Sequence, residues 1–125
     1  MLPPPRNTNN ESIIHSIKQV YTVIYVTGKK LSKPDKLGIH ARIENTTLEI
    51  MHLLIQAYFS GKNAKLELLE KARILLEILK HLVRTEHELK IIEEKSYIRI
   101  EFLIVETSKM TNGWITYILK QKTLN

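Results

Sequence analysis

Cysteine is absent from this 125-residue chain. Disulfides and thiol chemistry are thereby excluded, and a reducing compartment is permitted. No apolar run approaches the roughly 18 residues of a membrane span. The first ten residues, MLPPPRNTNN, lack a basic segment followed by an apolar one, so no signal peptide is expected and the cytoplasm is the expected location. No glycine-rich phosphate loop is present, and no serine or histidine sits in a recognisable nucleophile context. Tryptophan occurs once, at Trp114, directly after Gly113.

What the chain does have is apolar residues at 43%, enough for one domain with one core. It also has a net charge of +6, unevenly spread. Residues 1–36 hold six basic and two acidic groups, residues 37–106 ten and eleven, and residues 107–125 three lysines and no acid. The excess therefore sits towards the two chain ends. That points to a polyanionic partner such as nucleic acid, against the plainer reading of a lysine-rich soluble protein.

Apolar spacing predicts an all-α fold. Residues 1–10 are expected as a disordered tail and residues 11–122 as a single four-helix domain. Asn10 or Ser12 caps the first helix, in which Ile13, Ile17, Tyr21 and Ile24 recur at helical spacing. GKKLSKPDKLG is a loop, with Pro34 near the start of a second helix running to about Phe59. SGKN breaks the chain again. A third helix spans about Ala64 to Leu89, KIIEEKS connects, and a fourth helix continues to about Lys120. VYTVIYVT and SYIRIEFLIVET carry strand-like composition. They read as helical because the apolar spacing crosses them and no hairpin turn adjoins them. Short connections between four helices give an antiparallel up-down bundle.

Two helices are broadly apolar. On the second, Arg42, Asn45, Glu49, His52 and Gln56 form a narrow polar wedge. The third carries Leu68, Leu69, Ala72, Leu75, Leu76, Ile78, Leu79, Leu82 and Val83 around a broad arc. A stripe of about 100° suffices for one core, so the excess predicts a homo-oligomer. Arg73, Lys80 and Arg84 share one face of the third helix, with Glu77 among them. They form either a solvated face with intrahelical ion pairs or a ridge that tracks phosphates. Lys29, Lys30, Lys33 and Lys36 in the first loop are a second basic group.

Metal chemistry has little support. A two-metal bundle site needs two Glu-x-x-His motifs and two further glutamates. The chain has one such motif, Glu49 to His52, on the polar wedge. His40 and Glu44, four apart, could ligate zinc but lack a third ligand of obvious spacing. No metal, cofactor or catalytic residue is expected.

The segments KPDKLGIHARIENTTLEIMHLLIQAYFS, LLEILKHLVRTEHELKIIEEKSY and SKMTNGWITYIL, in this order, resemble the accessory variability determinant (Avd) proteins of diversity-generating retroelements. The resemblance covers about residues 12–120. A sister group, the four-helix proteins encoded in intervening sequences of large ribosomal RNA genes, shares the architecture and has an unknown role. Its members usually carry an alanine- and glycine-rich second helix, which this chain lacks. The Avd resemblance implies a pentameric barrel of four-helix protomers. It further implies a non-enzymatic partner of the element's reverse transcriptase and of template RNA and DNA; the lack of a long apolar run adds the expectation of no membrane. The matching basic positions are Lys80 and Arg84, while Arg73 comes from periodicity alone. The tail departs from the most basic family members, ending in Lys120 and Lys122 only.

Gly113 reads as a gap that lets a neighbouring helix approach. Trp114 then covers the core end or a subunit seam, because it shares its face with Met110 and Ile118. The competing reading is an exposed platform for base stacking.

Overall fold

The computed structural model describes the backbone of residues 3–124 and the side chains of residues 11–122. Four long helices and one short one account for most of the chain: α1 (Pro3–Gly28), α2 (Lys33–Leu37), α3 (Ile39–Tyr58), α4 (Lys62–Glu88) and α5 (Glu94–Leu124). No strand occurs among the described residues. Both β-branched segments are helical, within α1 and α5. Their tyrosines and isoleucines repeat at a helical period, and packing on that period outweighs local propensity.

Two boundaries differ from expectation. The first helix starts at Pro3, so the backbone of residues 3–10, expected as a disordered tail, is helical. Residues 1 and 2 lie outside the described residues. Prolines at 3, 4 and 5 fall in the first turn, where a missing N–H breaks no helical bond. The expected second helix is split. Gly38 takes φ −92° and ψ −113°, outside the helical region, and separates α2 from α3. Its N–H still donates to the Pro34 carbonyl, so α2 is one closed turn lying against α3. A Cβ at Gly38 would stand 3.0 Å from that carbonyl oxygen, a tight fit that suits glycine.

The stop of α4 has a clear cause. The N–H of Ile91 donates to the Glu86 carbonyl (3.1 Å) and the N–H of Lys90 to that of His87 (2.9 Å). Lys90 sits at φ 62°. This is a Schellman closure, with lysine where glycine is the commoner choice.

The helices form a closed ring of neighbours: α1 against α3 and α5, and α4 against α3 and α5. Their shared interior is aliphatic. Ile17, Ile24, Ile50, Leu54, Leu76, Leu79 and Ile104 are fully enclosed, each contributing about 1.5–3 kcal/mol by burial. Three buried threonine hydroxyls are satisfied locally. Thr47, Thr107 and Thr111 each donate to the carbonyl four residues back, at 2.8–2.9 Å. With its proton so committed, Thr107 can only accept from Ser16 of α1, 2.6 Å away. That bond ties α1 to α5 through the core.

Trp114 packs as expected. It is 5% exposed and belongs to the core, with the Lys65 ammonium 5.6 Å from its ring centre. A base-stacking role for an exposed indole is thus unavailable to this conformation. Gly113 does not fit its expected role within the chain. It is exposed, and a Cβ there would meet nothing within 4 Å. No helix of its own chain comes close. Gly113→Ala should therefore stabilise the isolated chain by about 1 kcal/mol, the ordinary helix-interior difference. Denaturant midpoints of the two proteins check this. Destabilisation, or loss of an assembly, would place a second subunit against Gly113.

Candidate functional site

The expected basic stripe on α4 is present but largely matched by its own glutamates. The guanidinium of Arg73 meets Glu70 at 2.8 and 2.9 Å. Lys80 meets Glu77 at 3.3 Å. Arg84 bonds the Tyr97 hydroxyl of α5, and Glu101 and Glu88 lie close; these contacts hold it above its ordinary value. Two of the three cations are thus in intrahelical pairs at the surface, Lys80 half-buried, each worth a few tenths of a kcal/mol. Next to Tyr97 and Glu101 come Ile98 and Phe102, 56% and 61% exposed. The stripe therefore borders apolar surface that spacing on α4 alone did not reveal. Ile74 and Ile78 on α4 and Leu48 on α3 are also open to solvent, whereas most of the broad arc of α3 is buried or half-buried.

The lysines of the first turn differ. Lys29, Lys30, Lys33 and Lys36 are all exposed, at the end of α1 and on α2. None is in an ion pair among the described residues. The one acid among them, Asp35, accepts from the Ser32 hydroxyl instead. Lys29 also lies 5.4 Å from the centre of the Tyr25 ring.

The most tightly built polar group was not legible in sequence. His40, at the start of α3, is completely buried. Its Nε2 lies 2.8 Å from the Ile24 carbonyl of α1, an oxygen that only accepts, so Nε2 carries a proton. Its Nδ1 lies 2.6 Å from Glu86 Oε2 on α4, and Glu86 is also buried. Glu44 is 3.8 Å from Nε2. Gly28 makes room for the ring: a Cβ there would stand 2.6 Å from both Cδ2 and Nε2. One imidazole therefore joins α1, α3 and α4. The sequence spacing found His40 and Glu44 but not Glu86, which lies 46 positions away and shares no motif with them. Both ring nitrogens are occupied, so no lone pair faces outward to a metal. Glu49 and His52 are exposed on α3, and no cluster of three metal-ligating side chains occurs among the described residues.

Burial by itself would lower the His40 pKa. The hydrogen bond and charge of Glu86 act the other way, together with the Ile24 carbonyl and the Glu44 charge, and the net result is a value raised above 6.5. The second carboxylate oxygen, Glu86 Oε1, is buried with no hydrogen-bond partner. The arrangement can hold a proton between two helices. It presents no group to an outside substrate.

Comparison with family models, curated proteins and solved structures finds no match to this chain.

Removing one partner of a buried pair leaves the other uncompensated and costs about 3–5 kcal/mol. Glu86→Ala should lose stability on that scale in urea unfolding. Glu86→Gln should lose far less, because its amide can donate to a neutral His40 Nδ1. Gly28→Ala should also destabilise, through the ring contact. A raised folded-state pKa gives stability that is fully present below about pH 6.5 and lost as pH rises through the folded value. Urea midpoints of the parent should accordingly fall above pH 6.5. In Glu86→Gln that part of the fall should disappear, and parallel curves for the two proteins would refute the assignment.

Proposed function

We propose that this chain is a non-enzymatic accessory protein of a diversity-generating retroelement, binding nucleic acid and the element's reverse transcriptase in the cytoplasm. The reading starts from the ordered sequence resemblance to Avd proteins. The observation that carries it furthest is the group of exposed, unpaired lysines, Lys29, Lys30, Lys33 and Lys36. Unpaired surface cations attract phosphates through release of condensed counterions, without reading bases. They are better placed for this than Arg73 and Lys80, whose charges meet glutamates within the same helix.

Arg84 with exposed Ile98 and Phe102 suits a protein partner, the reverse transcriptase in this proposal. An arginine beside an apolar patch is a common composition at protein interfaces. The bundle reads as up-down, since each long helix touches its chain neighbour across a short connection and α1 touches α5. Assembly into a pentamer follows from the resemblance. Exposed Ile74, Ile78, Ile98 and Phe102 give such an assembly apolar surface to cover. A ring would repeat the lysine group on every subunit and multiply weak contacts. Among the described residues no helix is long and apolar enough to cross a membrane.

A salt titration of binding to single-stranded RNA tests this. Lys29, Lys30, Lys33 and Lys36 changed together to alanine should weaken affinity and flatten the slope by about 0.7 log units per lost phosphate contact. Arg73, Lys80 and Arg84 changed together should have the smaller effect. Light scattering on the same samples shows whether the assembly persists. Equal slopes for the parent and the lysine variant would remove nucleic acid from the proposal.

A further inference from the structure

Where α1 ends, the molecule carries a cleft of about 580 Å³. One wall is the final turns of α1. The other is the α4–α5 turn and the first turns of α5. Its apolar surface is aliphatic, from Val23, Val26, Leu31, Ile91 and Ile92, and no aromatic ring lines it. Thr27 and Ser96 line it from opposite walls. Lys30, Lys95 and Arg99 line it against a single acid, Glu93. None of these three cations is in an ion pair among the described residues.

Folding alone does not account for this lining. Three cations grouped with one acid repel one another, whereas Arg73, Lys80 and Lys109 each sit beside a glutamate three residues earlier. The volume lies in the range of small-ligand clefts, roughly 300–1,000 Å³. The start of α5 adds free N–H groups and the positive pole of a 31-residue helix to the same wall. An anion entering the cleft meets these groups at one side and branched aliphatic side chains at the other. A nucleobase would find no ring to stack on.

We infer that this cleft binds a small amphipathic anion, a phosphate or carboxylate head carrying a short aliphatic body. The head pairs with Lys30, Lys95 and Arg99 and accepts from Thr27 and Ser96. The body displaces water from Val23, Val26 and Ile92. The site shares Lys30 with the lysine group at the end of α1, but Lys95 and Arg99 belong to neither basic group, so variants at those two separate it from nucleic-acid binding.

The test is a titration of isotopically labelled full-length chain, followed by amide NMR. The probes are hexyl phosphate, hexanoate, inorganic phosphate and hexanol. Hexyl phosphate or hexanoate should shift Thr27, Ile92 and Ser96 saturably. The better of the two names the head group. Either should bind at least about tenfold more tightly than inorganic phosphate or hexanol alone, as expected when a charge-assisted contact and apolar burial act together. Lys95→Glu with Arg99→Glu should weaken binding by at least about tenfold. Lys95→Gln with Arg99→Gln serves the same purpose if the reversal disturbs the fold. Equal binding by inorganic phosphate would mean a surface ion effect and overturn the site. So would non-saturating shifts, or affinity that survives loss of both cations. If the cleft resonances of the ligand-free chain move on dilution, a second copy fills the cleft, and the inference fails.

Discussion

Much of this fold turns on one proton held between His40 and Glu86. The imidazole reaches the Ile24 carbonyl on α1 and the Glu86 carboxylate on α4 from its own place on α3. Glu86 acts twice, because its backbone carbonyl accepts the Ile91 N–H that closes α4. The next residue, His87, stacks on Tyr97 of α5 with ring centres 4.3 Å apart. Within two adjacent residues of α4, all four long helices are therefore fixed at one end. Aliphatic packing could satisfy the same volume in more than one register. A buried pair with a single correct partner does not permit that freedom.

Helix number and approximate extent were legible because they follow from local pattern. Residues such as Ile13, Ile17, Leu69, Leu76 and Leu79 repeat at the period of the core they build, and Ser60 with Gly61 marks a stop. The split at Gly38 was not legible, since a glycine after one helical turn is compatible with continuation or with a break. Tertiary contact with α3 decides it. The His40–Glu86 pair was invisible for a simpler reason. Sequence spacing exposes partners within a turn or two, and this pair is set by the packing of two helices. Gly113 misled because its neighbour Trp114 is buried while its own side of α5 faces solvent.

The candidate sites show the same division. Spacing on α4 correctly put Arg73, Lys80 and Arg84 on one side, yet charge alone said nothing about how far each is neutralised. Glu70 and Glu77 lie three residues before Arg73 and Lys80, close enough to take most of their local field. Among the lysines at 29, 30, 33 and 36 the one acid, Asp35, accepts from the Ser32 hydroxyl instead of meeting a lysine. Binding capacity thus depends on where counter-charges can reach, which is a property of backbone path.

The ring of helices closes between α1 and α5, the two long elements farthest apart in the chain. Ser16 and Thr107, which bridge them, are separated by 91 positions. Bringing such distant segments together costs more chain entropy than forming the neighbouring pairs α3–α4 or α4–α5. This seam is where the bundle gains least from local order, and Ser16 with Thr107 forms a polar latch in its core. The aliphatic, cation-lined cleft opens along the same seam. Any occupant touching both walls would act as a clasp on the joint between the first and last helices, making the ring harder to open without altering its shape.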